Sequence, residues 1–363
     1  MKNKIIVVGG YGCVGKTICK ELGEKFPGVV YAAGRNLERA EQLSRETDGK
    51  VKSLQLDIQE AVHPDALDQA RLVIMCLDQT NSGFVRSCFQ SGTHYIDVSA
   101  NGRFLNQVEQ WSTEAEKNRA TAVLSVGLAP GLTNLLALQA QKLLDQAESI
   151  ELSILLSLGG RHGKAAIEWT IDNLNTSFSI TENNRQVTVN SFTDGKIVDF
   201  GAILGRKKAY RFPFSDQQTL VRTLEVPSVS TRLCFDSAVA TAFMSGLRKI
   251  GAFRLLQVHR IRNAMIRSFE QLHFGGDQFA VKVDAWGRKG GKDAAVECLL
   301  QGKDQSNMTA KVAVCVADAL YSQVFPHGVY HIEQLFELKS MQDWLQQEAS
   351  IEIRIDGVQL GYV

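Results

Sequence analysis

The chain has no long run of apolar residues. None approaches the roughly 18–20 residues that cross a bilayer, so no membrane span is expected. It also lacks an excess of either charge: 40 Lys and Arg face 39 Asp and Glu. That balance argues against a nucleic-acid surface or a strongly charged partner. The seven cysteines (13, 19, 76, 88, 234, 298, 315) are odd in number and scattered, with no C-x-x-C pair and no histidine at metal spacing. Neither a disulfide framework nor a metal site is expected, and buried, reduced thiols in a cytoplasmic protein are. There is no G-x-S-x-G, no zinc motif and no convincing pair of carboxylates, so lysis of a peptide or sugar bond is not supported. No internal repeat is present. The apolar start is only a few residues long and runs straight into glycines, so no leader peptide is expected.

What is present begins near residue 1. Lys4-Ile5-Ile6-Val7-Val8 is a short branched apolar run, read as a buried strand. It ends in Gly9-Gly10-Tyr11-Gly12-Cys13-Val14-Gly15, after which Thr17–Leu22 favours helix. Gly10, Gly12 and Gly15 fit G-x-G-x-x-G. The three glycines serve a tight turn, backbone approach to a pyrophosphate and close helix–strand packing. Residues 10–15 are therefore expected to bind a dinucleotide at a helix N-terminus.

A second strand, Val29–Ala33, leads to Gly34-Arg35-Asn36. A free ribose 2′-hydroxyl calls for Asp or Glu about twenty residues after the loop. Arg35 stands there instead, which favours the 2′-phosphate of NADP over NAD, with NAD still possible. Asp57-Ile58 ends a third strand and either borders the adenine or, through Asp57, caps the next turn. Leu72–Leu77 is a fourth strand, which places Cys76, Leu77 and Asp78 near the nicotinamide half. His94–Ser99 is a fifth, and period two puts Tyr95 and Asp97 on one face. Asp97, near the carboxyl end, either holds a substrate ammonium or relays a proton, or merely caps a turn. A helix over 103–118 and a sixth strand at 121–126 follow. The β-α alternation points to an α/β fold with a doubly wound parallel sheet.

The second half has strand signals at 149–157, 185–191, 196–200, 208–214, 228–235, 278–286 and 294–301, with a hairpin over 287–292. Arg161 and His162, in the loop after 149–157, are candidates for a substrate carboxylate and for an acid. Trp169 is core or a substrate platform. A basic, helix-favouring run, 238–272 with a break at Gly251, reads as a solvated helix or dimer face rather than a membrane-surface helix. A helix over 308–323, short helices over 331–338 and 341–348, and a strand over 350–355 close the chain.

Gly10–Gly15, Ala33-Gly34-Arg35-Asn36, His94–Ser99 and Gly127-Leu128-Ala129-Pro130-Gly131 together resemble the saccharopine dehydrogenase/saccharopine reductase-like family of NAD(P)-dependent oxidoreductases. The resemblance implies a Rossmann domain over 1–135. It also implies an inserted α+β domain with a mixed sheet over 136–305, for substrate and dimerisation, and a return segment over 306–363 packing on the first domain. The substrate implied is small and amino-acid-derived, its imine or carbonyl exchanging hydride with the cofactor. Tyr95, Ser99, Arg161, Trp169 and Asn173 are the expected substrate contacts, with Asp97 and His162 as catalytic groups. Two departures stand out: Ala129 replaces an acidic residue of the family loop, and Ile171-Asp172-Asn173 lies where saccharopine-forming members carry an Arg. The resemblance thus implies a reaction class more firmly than a substrate. A catalytically silent NADP-binding regulator is the alternative.

Overall fold

The computed structural model describes residues 2–59, 67–160, 163–271 and 276–360. They form two compact units. The first takes residues up to Gly131 together with Ser306–Leu335; the second takes Leu132–Gln305 and the chain from Phe336 on.

The first unit carries β1 (Lys4–Val8), β2 (Val30–Gly34), β3 (Val51–Gln55), β4 (Ala70–Met75), β5 (His94–Asp97) and β6 (Thr121–Leu124). Every pairing is parallel, and the spatial order is β3-β2-β1-β4-β5-β6. The Rossmann sheet expected from the alternation is thus present. Ile5, Ile6, Val7 and Val8 are all buried, as a central strand with helices on both faces requires. The strand order reverses between β1 and β4, and ligands of open α/β sheets bind outside the carboxyl ends at such a point. That end holds Gly9–Val14 and Cys76–Asp78.

Two elements of this unit differ from expectation. The helix over 103–118 is two helices, Gly102–Glu109 and Ser112–Lys117. The chain bends at Trp111, whose indole N–H donates to Ser82 Oγ at 3.0 Å while Arg86 lies over its ring. A seventh strand (Gly328–His331) pairs with β6 where a helix was expected to begin at His331. His331 is buried there between Ser125 Oγ (2.8 Å) and Glu109 Oε1 (2.6 Å). Ser125 is itself fully buried, so this Ser-His-Glu chain fastens the returning segment and offers solvent no nucleophile.

The second unit is a ten-stranded mixed sheet with β7 (Gln146–Leu156) near its centre. Around it lie β8 (Ser177–Glu182), β9 (Arg185–Asn190), β10 (Lys196–Asp199), β11 (Arg206–Arg211), β12 (Ser228–Phe235), β13 (Gln278–Lys289) and β14 (Lys292–Lys303). The β8 strand had no clear sequence signal. β13 and β14 meet at Gly290-Gly291, both at positive φ, a two-residue turn that suits a hairpin. One face is aliphatic, with Ile150, Leu152, Val283, Val296, Ile351 and Ile353 buried. The helix Leu132–Lys142 packs against it.

The expected return segment needs correction at its end. With the Gly328–His331 strand counted as β15, the strand Ala349–Ile355 (β16) joins the second sheet, antiparallel to β14, followed by the short β17 (Val358–Gln359). Its alternation puts Ile351 and Ile353 into that aliphatic face, so residues from 336 on belong with the second unit.

Candidate active site

The glycine loop is a cradle that side chains would fill. A Cβ on Gly10 would lie 2.8 Å from Ala32 Cα and from Val7 O. One on Gly15 would lie 2.3 Å from Gly9 O, which is backbone and cannot swing aside. Gly12 N–H donates to Gly9 O at 2.8 Å and closes the turn. The helix Cys13–Lys25 starts from Gly12 with no side-chain cap and no acidic residue in its first turn. Its first N–H groups therefore have no side-chain cap, which suits a pyrophosphate. Tyr11 is half-buried, and Gly12 and Cys13 are exposed.

Tyr11 turns back over the end of β2. A Cβ on Gly34 would meet its hydroxyl at 2.4 Å, so only glycine fits beneath the ring. Asn36 N–H donates to that hydroxyl at 3.1 Å, and Asn36 Oδ1 accepts from Arg39 N–H at 3.0 Å, capping the helix Leu37–Glu46. The Arg39 guanidinium lies 4.8 Å from the Tyr11 ring centroid, a cation–π contact. Asn36 is therefore committed to the backbone, whereas Arg35 is exposed, its carbonyl held by Gln55. Asp57 Oδ1 accepts Gln59 N–H at 3.0 Å, capping the next turn. Ile58 packs on the core. Leu77 lies over Gly9, and burial, reinforced by nearby Asp97, pushes the Cys76 thiol up to about 12.

A chain of hydrogen bonds runs across the ends of β4 and β5. Gln79 Nε2 donates to Tyr95 Oη at 2.8 Å, and Tyr95 donates to Asp97 Oδ2 at 2.5 Å. Ser99 N–H donates to Asp97 Oδ1 at 2.7 Å, while Ser99 Oγ donates to Asp78 Oδ1 at 3.3 Å. Asp97 and Tyr95 are wholly buried; Asp78 is exposed. Burial drives the Asp97 carboxyl up to about 7, with repulsion from Asp78 adding to it and the Tyr95 and Ser99 bonds opposing. Tyr95, expected as a substrate contact, packs edge-on against Phe89 in the core and is wholly buried. Asp97 is likewise buried, with Ser99 bonded both to it and to the exposed Asp78.

Residues 5–123 match the family model for the saccharopine dehydrogenase NADP binding domain. Over these residues the chain is similar to an NADP binding domain, and its cofactor is NADP. Among solved structures, apo saccharopine dehydrogenase (L-Glu forming) from Saccharomyces cerevisiae is similar over 97% of this chain and 100% of its own, with TM-score 0.68 and 13% identity. At that identity the likeness is one of fold. DAP dehydrogenase from C. glutamicum, in complex with DAP, aligns over 94% of this chain and 96% of its own at TM-score 0.48 and 14% identity. An engineered D-amino acid dehydrogenase bound to NADP+ aligns over 96% and 99% at TM-score 0.47 and 13% identity.

In the second unit, Trp169 and Asn173, expected as substrate contacts, have structural partners. Trp169 packs on Phe212 and Phe214, with ring centroids 5.5 and 5.1 Å away. The Asn173 amide donates to Trp169 O at 2.8 Å and closes the helix Lys164–Asp172. Asp172 is paired with Arg262 through bonds of 2.5 and 2.8 Å. Arg161 and His162 lie outside the described residues. A cavity of about 560 Å³ opens on the polar face of the sheet, bordered by Asp199, Arg206, Lys282, Glu297, Glu352 and Arg354. Among the described residues none of the sequence-predicted ones borders it, and its charges largely satisfy one another: Lys282 with Asp284 and Glu297, Arg354 with Glu352.

Proposed function

We propose that this chain is an NADP-dependent oxidoreductase that exchanges hydride with an amino-acid-derived imine or carbonyl. The observation that carries the reading is the exposed Asp78 carboxylate, bonded to Ser99 and backed by buried Asp97, at the same sheet end as the glycine cradle. When bound, NADP supplies or accepts the hydride. The chain's own residues hold and orient. Gly10, Gly12 and Gly15 with the first turn of the helix Cys13–Lys25 seat the pyrophosphate, and Arg35 holds the 2′-phosphate. Asp78 holds a substrate ammonium or iminium nitrogen, and Ser99 fixes its carboxylate. Asp97 positions Ser99 from behind and sets the local charge.

The decisive experiment follows NADPH consumption by the purified chain against amino acids paired with keto acids or aldehydes. Turnover that falls on Asp78→Asn supports the assignment. Tight NADPH binding with no turnover across a broad panel favours the alternative, a catalytically silent NADP-binding regulator. One observation speaks for that alternative: Asp172, where saccharopine-forming relatives carry an Arg, is neutralised by Arg262.

The ribose assignment has its own test. Arg35→Ala is expected to weaken NADP binding by about 10- to 100-fold, the worth of one or two charge-assisted hydrogen bonds, and to leave NAD binding nearly unchanged. Calorimetric titration with both cofactors reads this directly; an equal loss for both would remove Arg35 from the 2′-phosphate.

A further inference from the structure

Between Asp236 and Glu270 the sequence contains no Asp or Glu, yet it contains Arg248, Lys249, Arg254, Arg260, Arg262 and Arg267. This stretch folds as the helix Ala238–Lys249, a short 3-10 turn over Ala252–Gln257 and the helix His259–Gln271. Its inner side is anchored. Thr241, Met244, Ser245, Phe253 and Ile266 are buried, Arg248 bonds Asn175, and Arg262 pairs with Asp172.

The outer side is not the polar surface that a solvated helix would present. Val239, Phe243 and Ile250 are 80%, 63% and 78% exposed, and Leu255, Val258 and Ile261 are exposed as well. Val239, Phe243 and Ile250 recur at helical spacing and so form one stripe. Lys249, Arg254, Arg260 and Arg267, in the same stretch of chain, are exposed, and among the described residues none of the four forms an ion pair. Apolar side chains flanked by cations, with no acid between them, are complementary to a surface that is apolar inside and anionic at its edge. A second copy of the same face would bring like charges together.

We propose that this helical face docks on an anionic lipid bilayer. Phe243, Val239 and Ile250, with Leu255 and Val258, enter the boundary between headgroups and acyl chains, and the four cations lie at the level of the lipid phosphates. The contact is peripheral, since no helix among the described residues is long and apolar enough to cross a membrane.

The test is flotation of the full chain, with NADPH present, on vesicles of phosphatidylcholine alone or mixed with phosphatidylglycerol. The expected result is co-flotation with the anionic vesicles only, lost at high salt. The double variant Lys249→Glu/Arg254→Glu is expected to lower partitioning by about 10-fold or more, at roughly tenfold for each one to two surface charges. Phe243→Ser/Ile250→Ser is expected to lower it comparably. Both variants should retain the wild-type circular dichroism spectrum and a cooperative thermal melt of the whole chain, which shows that they fold. Three outcomes would overturn the proposal: no binding to anionic vesicles at low salt, equal binding to neutral ones, or a dimer in sedimentation that Phe243→Ser/Ile250→Ser dissociates.

Discussion

Replacing Gly15 with Ala is expected to weaken NADP binding by on the order of 100-fold and to lower the melting temperature of the unliganded chain. The added Cβ would stand 2.3 Å from Gly9 O and 2.9 Å from Gly10 Cα. Both are backbone atoms of the turn that closes the cradle, so no side-chain rotation relieves the clash. Relief requires the helix Cys13–Lys25 to move away from β1, and Ile18, Cys19 and Leu22, all fully buried, move with it. Overpacking of this kind costs about 1–3 kcal/mol, up to the hundredfold range in an equilibrium constant. Gly12→Ala provides the contrast. Its Cβ would sit 3.1 Å from Gly9 O, with no other heavy atom within 4 Å. That residue is exposed where the pyrophosphate enters, so the variant should lose affinity with little change in melting temperature. Fluorescence titration with NADPH and thermal melts of the two variants separate a packing role from a contact role. Wild-type affinity in Gly15→Ala would mean that the loop does not seat the cofactor.

The cradle was legible because its determinants are local. Three glycines, the strand before them and the helix after them lie within a single stretch of chain, and each residue type has one steric reason to be there. The ribose end was half legible. The missing acid points to Arg35, which the cofactor titration tests, but the stacking of Arg39 on Tyr11 joins residues 28 positions apart through the particular angle of the helix Leu37–Glu46. Period two correctly placed Tyr95 and Asp97 on one face of β5. It gave no indication that the face is closed, because the closure comes from Phe89 on the preceding helix. The Gly328–His331 strand was missed for a simpler reason. Four residues carry little pattern, and what makes them a strand is β6, about two hundred residues earlier. The same applies to β16, whose alternation was read correctly while its partner was not. Long-range pairing assigned it to β14 and the second unit.

Asp97→Asn is expected to remove a pH dependence of stability that the wild-type chain carries. Burial lifts the Asp97 carboxyl from its ordinary 3.8 to about 7 in the folded chain. The folded state then holds a proton that the unfolded state has already released. Its stabilising effect is full below about pH 4 and is lost as the pH rises through about 7, where a charge must be kept inside the sheet. The whole swing is roughly 4 kcal/mol, at about 1.4 kcal/mol for each tenfold change in proton affinity. Asparagine is neutral throughout and retains an acceptor for Ser99 N–H. Its amide can donate to Tyr95 Oη, and a flipped Gln79 then accepts the tyrosine proton through Oε1, which is buried without a partner in the wild type. The variant should therefore fold, with the difference between its melting temperature and that of wild type moving in its favour as pH rises from about 5 to 8. Melts of both proteins without cofactor across that window measure it. Parallel curves would mean that Asp97 is already ionised at the acid end, and its role behind Ser99 and Asp78 would then be that of a permanent anion rather than a group titrating near neutrality.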